Sequence, residues 1–375
     1  MGFILFFSLI ILAIIFPKSK SLSFIIILFI FTLFGLNTAT PDYSNYEFMY
    51  TNINTGLFEL NEPGYVFLCS FCNRLGLTFH EFRMVIAVIF CLCLYLSVKK
   101  FTQYRAIALA VSLIFPVLSF VSGIRAALAG SIILYALSCY IYSARRNTLK
   151  FILGILLATT IHYSSIMFLF ILFEKITISR KKIVFVSASL SLGILVFVYS
   201  GLAYDFLKLI TDYDKALNWF NPSRFAQMSE LGFFAIVFIV FSVIILARLS
   251  KKSWNNHFQN TAIPQTVRIK TVDIGERVGF WLIMLLPFFL LNSTFLRLIY
   301  ELYIFFICSA AESLFIVRRR TINKYSNIKP LLPLLFVFVL SVALLLYENY
   351  SFISSTKYTV FDALVNNSFL GKYTL

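Results

Sequence analysis

Residues 151–173 read Phe-Ile-Leu-Gly-Ile-Leu-Leu-Ala-Thr-Thr-Ile-His-Tyr-Ser-Ser-Ile-Met-Phe-Leu-Phe-Ile-Leu-Phe. A single helix of this length would be long enough to cross a bilayer. Both flanks, however, are basic: Arg145, Arg146 and Lys150 precede it, and Lys175, Arg180, Lys181 and Lys182 follow. One crossing would put one of these clusters outside, against the preference of Lys and Arg for the cytoplasmic side. A hairpin that turns near Thr159-Thr160-Ile161-His162 keeps both inside. Residues 145–180 are therefore expected to form a re-entrant hairpin.

The rest of the chain follows from that choice. Apolar runs lie near 2–16, 22–37, 82–98, 104–122, 125–143, 183–200, 230–248, 278–293, 296–316 and 331–347. Between them the charges alternate. Lys18 and Lys20, then Lys99, Lys100 and Arg105, then the hairpin flanks, Lys251, Lys252, Arg268 and Lys270, and Arg318–Arg320 fall inside. The loops with Asp42, Glu47, Glu59 and Glu62, with Asp205, Asp212 and Asp214, and at Asn292–Arg297 fall outside. The expected fold is an all-α polytopic integral membrane protein. It has about ten full transmembrane helices plus the hairpin, or about twelve membrane helices if each arm is counted, with both termini outside. It reads as one transmembrane domain over 1–375, with outer-face elements at 38–81 and 201–229. Within the first, 63–77 is too short to span and reads as an interfacial helix. The first run lacks the basic start and small-residue cleavage site of a signal peptide.

Composition agrees. The chain is 60% apolar, 18% aromatic and only 13% charged, against about 25% charged in soluble domains. Mean hydropathy is +0.88. These values exclude a soluble or disordered protein, and the unbroken apolar runs argue against a β-barrel. The net charge of +16 belongs to the inner loops, so nucleic acid is not an implied partner. The three histidines, at 80, 162 and 257, are not spaced as metal ligands. No nucleotide or cofactor motif is present, so no cofactor is expected. Cys69 and Cys72 are formally C-x-x-C, but no thioredoxin-like pattern surrounds them.

Polar residues at the outer ends of spans are costly to place, and those that persist tend to be functional. Arg125 opens a span within Ser122-Gly123-Ile124-Arg125-Ala126-Ala127, among small residues. His162 lies at the hairpin tip. Arg297 and Glu301 are four residues apart and able to pair, with Tyr300 between them. Arg224 lies in the outer loop. Asp42, Tyr46 and Tyr50 recur at four-residue spacing, and Glu62-Pro63-Gly64-Tyr65 begins the interfacial helix. Arginine forks match phosphate oxygens, aromatic faces suit sugar rings, and carboxylates suit sugar hydroxyls. A lipid-diphosphate-linked glycan would use all three.

The ordered segments Pro41-Asp42-Tyr43-Ser44-Asn45-Tyr46, Glu62-Pro63-Gly64-Tyr65, Gly123-Ile124-Arg125 with Leu128-Ala129, and Ile161-His162-Tyr163-Ser164-Ser165 resemble the EpsG-like family of Wzy-type polysaccharide polymerases. They cover about residues 37–175. Ala126 stands where that family often has Gln, and Asn37–Pro41 lack its frequent Arg. The resemblance implies a GT-C-like, metal-independent O-antigen or exopolysaccharide polymerase of the bacterial inner membrane, with its active site facing the periplasm. Its substrates would be an undecaprenyl-diphosphate-linked glycan donor and a lipid-linked acceptor drawn from the membrane lipid. The resemblance leaves room for a chain-length co-polymerase as partner. In that chemistry Arg125 and Arg297 would clamp the leaving diphosphate, with Arg224 as a third cation. His162, or else Asp42, would serve as base, and Tyr46, Glu62, Tyr65, Tyr300 and Glu301 would contact substrate. The alternatives are a lipid-linked oligosaccharide flippase or an O-antigen ligase. The odd charges gather at one face and no repeat is visible, which favours an enzyme over a flippase.

Overall fold

The computed structural model describes residues 2–38, 40, 42–55, 62–143, 147–210, 230–258, 269–291, 295–312, 331–355, 359, 361–367 and 371–372. Within these residues the architecture is helical apart from a two-residue antiparallel ladder of β1 (Asn366–Asn367) with β2 (Gly371–Lys372). The helices are α1 (Gly2–Ile15), α2 (Lys20–Gly35), α3 (Tyr43–Thr51), α4 (Pro63–Arg74), α5 (Phe79–Phe101), α6 (Arg105–Ser112), α7 (Leu118–Phe120), α8 (Ile124–Tyr142), α9 (Thr148–Ile161), α10 (Arg180–Tyr199), α11 (Leu202–Ile210), α12 (Glu230–Phe258), α13 (Ile269–Trp281), α14 (Leu286–Leu291), α15 (Leu296–Ala311), α16 (Leu332–Ser355) and α17 (Asp362–Val365).

Each of the ten apolar runs is mainly helical within its described residues. Five helices, α5, α8, α10, α12 and α16, are long and apolar enough to cross a membrane. Others are shortened by local chemistry. The run at 104–122 is divided by a wide helical turn at Leu113–Val117, where Pro116 has no N–H to give and Phe115 is extended. The run at 278–293 passes through a 3₁₀ turn at Leu282–Leu285. The capping is legible in the sequence. Thr78 and Glu81 form a reciprocal capping box at the start of α5, and Lys99 and Lys100 complement the dipole at its end.

α8 is the most enclosed of the five long helices, whereas α10 and α16 turn most of their surface outward. Phe185 on α10 is 73% exposed and Phe234 on α12 is 66% exposed. An apolar exterior of this extent is stable against lipid and not against water.

Residues 151–173 do not form one helix. α9 stops at Ile161, His162 is extended (φ −150°, ψ 112°), and Tyr163–Lys175 follow as a 3₁₀ segment. The two arms pack on each other. Lys175 at the far end of the second arm donates to the Thr148 hydroxyl at the start of the first. The chain therefore reverses at His162, and that residue lies at the end of the bundle where α8 begins.

The same end gathers other remote segments. Arg83, wholly buried on α5, donates to the carbonyls of Phe34 (3.0 Å) and Val121 (3.4 Å). It thereby ties the last turn of α2 to the end of α7. Asn367 bridges Asn37 and donates to the Thr32 carbonyl (2.7 Å), and the Phe3 and Phe361 rings meet at 5.9 Å.

Candidate active site

Three elements bring three charged or titratable side chains together at the start of α8. Glu62 is the residue before α4, where Pro63 takes a first-turn position that needs no N–H. Arg125 is the second residue of α8. His162 sits at the reversal between α9 and the 3₁₀ segment. Gly64 makes the approach of α4 to α9 possible, because a β-carbon there would collide with the Thr160 side chain. Pro63-Gly64 thus has a packing reason as well as a helix-starting one.

Glu62 is the bridge. Its Oε2 accepts from Arg125 Nη1, its Oε1 lies 3.1 Å from His162 Nδ1, and Oε1 also accepts from the Tyr163 backbone N–H at 3.4 Å. Side-chain exposures of 10% for Glu62, 11% for His162 and 18% for Arg125 leave a narrow opening to the exterior. Burial pushes the Glu62 carboxyl up, but the His162 hydrogen bond and the Arg125 charge outweigh it and hold the carboxyl below its ordinary value. Glu62 therefore stays a carboxylate. A carboxylate against Nδ1 favours the tautomer with the proton on that nitrogen. The other ring nitrogen, Nε2, is buried and makes no hydrogen bond among the described residues. With the proton on Nδ1, Nε2 carries a lone pair and can accept a hydrogen bond.

The Arg125 guanidinium lies under two rings, 5.5 Å from the Tyr46 centroid and 5.7 Å from that of Tyr65. These rings meet edge to face at 6.5 Å. The cage fixes the arginine while its Nε remains without a partner among the described residues. Arg297, at the start of α15, points to the same place: a β-carbon on Gly123 would lie 3.8 Å from its Nη1. Gly123 is the N-cap of α8 and supplies no side-chain cap. The positive end of a 19-residue helix is thus flanked by two arginines, an arrangement suited to anions.

Beside the cluster is an open cleft of about 580 Å³ lined by Pro63, Val66, Phe67, Phe71, Arg74 and Tyr163. Phe67 and Phe71 are largely exposed and stack at 6.1 Å. Three rings, Phe67, Phe71 and Tyr163, line the groove together with Pro63, Val66 and Ser70, and Arg74 is a cation at the far end of α4.

The structure thus unites Arg125, His162, Glu62, Tyr46 and Tyr65, and brings Arg297 alongside. Glu62 is held by Arg125, His162 and the Tyr163 N–H. Asp42 caps no N–H of α3 with its side chain and makes no ion pair among the described residues. Tyr300 is buried edge-on to Phe115 at 4.7 Å. Glu301 makes no ion pair with Arg297 among the described residues. Its side chain instead packs on Gly130 of α8, and neither of its carboxylate oxygens has a hydrogen-bond partner there. Helical spacing alone cannot decide this, because the neighbouring helix sets the rotamer. Arg224 lies outside the described residues. Sequence reasoning missed Arg83, although an arginine five residues into an apolar helix is itself a signal. It also missed the Phe67–Phe71 groove, which one-dimensional hydropathy does not distinguish from core. Among the described residues no cluster of His, Cys, Asp and Glu is grouped to hold a metal ion.

Fold and site together define a helical membrane protein with a largely buried Arg–Glu–His cluster at one end of its bundle. Compared with known families, the chain matches the EpsG family over residues 20–359. It belongs to that family, which is associated with polysaccharide polymerases of glycosyltransferase type. No curated protein and no solved structure matches it.

Proposed function

We propose that the chain is a polysaccharide polymerase that moves a growing glycan from undecaprenyl diphosphate onto the sugar of a new lipid-linked repeat unit. The reaction would occur at the periplasmic face of the bacterial inner membrane. The Arg125–Glu62–His162 cluster carries this reading. An acceptor hydroxyl bound at His162 Nε2 gives up its proton there as its oxygen bonds to the donor's anomeric carbon. The bond from that carbon to the diphosphate breaks, and its electron pair leaves with the diphosphate. Negative charge then grows at the start of α8, where Arg125, Arg297 and the helix dipole receive it. Such preorganised charge favours the transition state over the ground state. Removing one donor of this kind costs about 2.7–4 kcal/mol in comparable sites. The same groups supply the positive charge that a metal ion would otherwise provide. The Phe67–Phe71 groove suits the isoprenoid chain of a carrier arriving sideways from the outer leaflet.

This reading includes about twelve membrane segments in a GT-C-like arrangement, counting both arms of the hairpin at 145–180. The alternation of basic and acidic loops supports the periplasmic placement of the site. A chain-length co-polymerase is a further partner compatible with it. The test is a glycan ladder. Deletion in the native strain should leave a single repeat unit on its acceptor. Wild type should restore the ladder, whereas Arg125→Ala and His162→Ala, present at equal membrane levels, should not. Loss of every glycan-bearing band on deletion would overturn the proposal in favour of a flippase or ligase.

A further inference from the structure

α8 carries Arg125 at one end of the bundle and Tyr142 at the other, about 26 Å away at about 1.5 Å per residue. At that far end the Tyr142 and Thr271 hydroxyls bond. Thr271 lies in the first turn of α13, and little more than one helical turn later Glu276 forms part of a second cleft of about 400 Å³. Its lining includes Arg180, Ile245, Arg248, Lys252, Asn255 and Glu276. Arg180 pairs with the buried Glu276 at 3.1 Å. The nearby Lys251 and Asp273 pair with each other. Arg248 and Lys252 have no ion-pair partner among the described residues. Three cations therefore face one carboxylate, an excess of two positive charges. Arg248 and Lys252 are one turn apart on α12, where like charges repel unless an anion lies between them. Arg180 also opens the 20-residue α10, whose N-cap Ser179 provides no side-chain cap, so the positive end of that helix adds to the field.

An apolar stripe on α12 approaches this cleft and meets it at Ile245. Phe234, Phe238, Phe241 and Ile245 follow one another on α12 at helical spacing, and all are exposed. That stripe leads directly to Arg248 and Lys252. An acyl chain lying along it would bring its headgroup to the cations. Basic pockets between helices on the cytoplasmic side bind anionic lipid headgroups by this logic.

We infer that the cleft between α10, α12 and α13 is a binding site for a phosphate group at the end of the bundle opposite the glycan centre. The phosphate is carried by an anionic phospholipid headgroup or is free in solution. The full chain, purified in an uncharged detergent, is titrated with short-chain phosphatidylglycerol, phosphatidylcholine and inorganic phosphate, and bound molecules are counted by native mass spectrometry. Wild type should hold one phosphatidylglycerol at least tenfold more tightly than phosphatidylcholine. Arg248→Gln/Lys252→Gln, at two positions with no ion pair to lose, should abolish that preference. Lys181→Gln/Lys182→Gln removes the same charge from exposed positions outside the cleft and should retain it. If millimolar inorganic phosphate binds wild type but not the Arg248/Lys252 variant, and displaces the lipid, the site takes free phosphate. If it does neither, the site takes the lipid. Equal phosphatidylglycerol binding by wild type and the Arg248/Lys252 variant would overturn the inference, as would equal loss in both double variants.

Discussion

Glu62→Gln separates orientation from simple charge in the proposed centre. The replacement keeps the shape and removes the negative charge. With the amide oxygen kept toward Arg125, the amide nitrogen must face His162 Nδ1, now 3.1 Å from Oε1. That nitrogen donates, so Nδ1 must accept and the ring proton moves to Nε2. The histidine can then no longer take a proton from an acceptor hydroxyl. The comparable carboxylate-to-amide change beside the histidine of a serine protease lowers kcat about 10⁴-fold, equivalent to about 5.4 kcal/mol of transition-state stabilisation. This orientation leaves the Tyr163 N–H without its long 3.4 Å bond, but the opposite one sets the amide nitrogen against the Arg125 guanidinium and is the more disfavoured. Arg125 keeps one neutral acceptor, so the stability loss should be about 1.5–3 kcal/mol, the range for a hydrogen bond to a charged group. Membrane vesicles supplied with lipid-linked repeat units, sampled over time and resolved on a gel, should show polymer formation falling by about 10³–10⁴-fold while folded protein persists. The two proteins should also differ with pH. Glu62 is held below its ordinary value of 4.5 in the folded state. Its contribution to stability is complete above the unfolded value and disappears as the pH falls through the lower folded value. The wild-type melting temperature should therefore approach that of the variant in acid. A Glu62→Gln protein that polymerises at the wild-type rate would refute the tautomer argument.

Arg125→Lys should lower polymer formation about 10²-fold or more, because an ammonium cannot reach both Glu62 and a phosphate in the guanidinium's fixed fork; the same vesicle assay measures it. Gly64→Ala should reduce the melting temperature of detergent-purified protein by an amount equivalent to about 1–3 kcal/mol, since the new methyl meets Thr160. Arg83→Met should lower thermal stability without changing the chemistry at Arg125, because it frees the Phe34 and Val121 carbonyls; size-exclusion profiles after a heating series would register the loss.

The membrane character of the fold was legible because it rests on composition and on runs of apolar residues, both one-dimensional properties. Basic flanks around residues 151–173 argued for a reversal, and the Lys175–Thr148 contact shows the chain reversing at His162. The helix interruptions were less legible. Pro116 divides one run visibly, and Pro287, which offers no N–H to the Ile283 carbonyl, marks the 3₁₀ turn at Leu282–Leu285 more faintly. At the site, Arg125 and His162 stood out by their cost in an apolar setting. Glu62 stood out only as a residue before a proline, and its bridging position depends on segments 63 and 100 residues away in sequence. The spacing of Arg297 and Glu301 suggested a pair, whereas the Glu301 side chain packs on Gly130 of the neighbouring α8.

The seam between the early and late parts of the chain has a consequence for assembly. Residues 2–37 leave the ribosome long before residues 361–367, yet Phe3 meets Phe361, and Asn367 holds Thr32 and Asn37. The first two helices must wait in the membrane, with that flank uncovered, until the last one has been inserted. Closing the seam certifies that everything between has been threaded. A donor fluorophore near Gly2 and an acceptor near Leu364 would report completed biogenesis as a gain in energy transfer, and a chain stalled before α16 would stay dark.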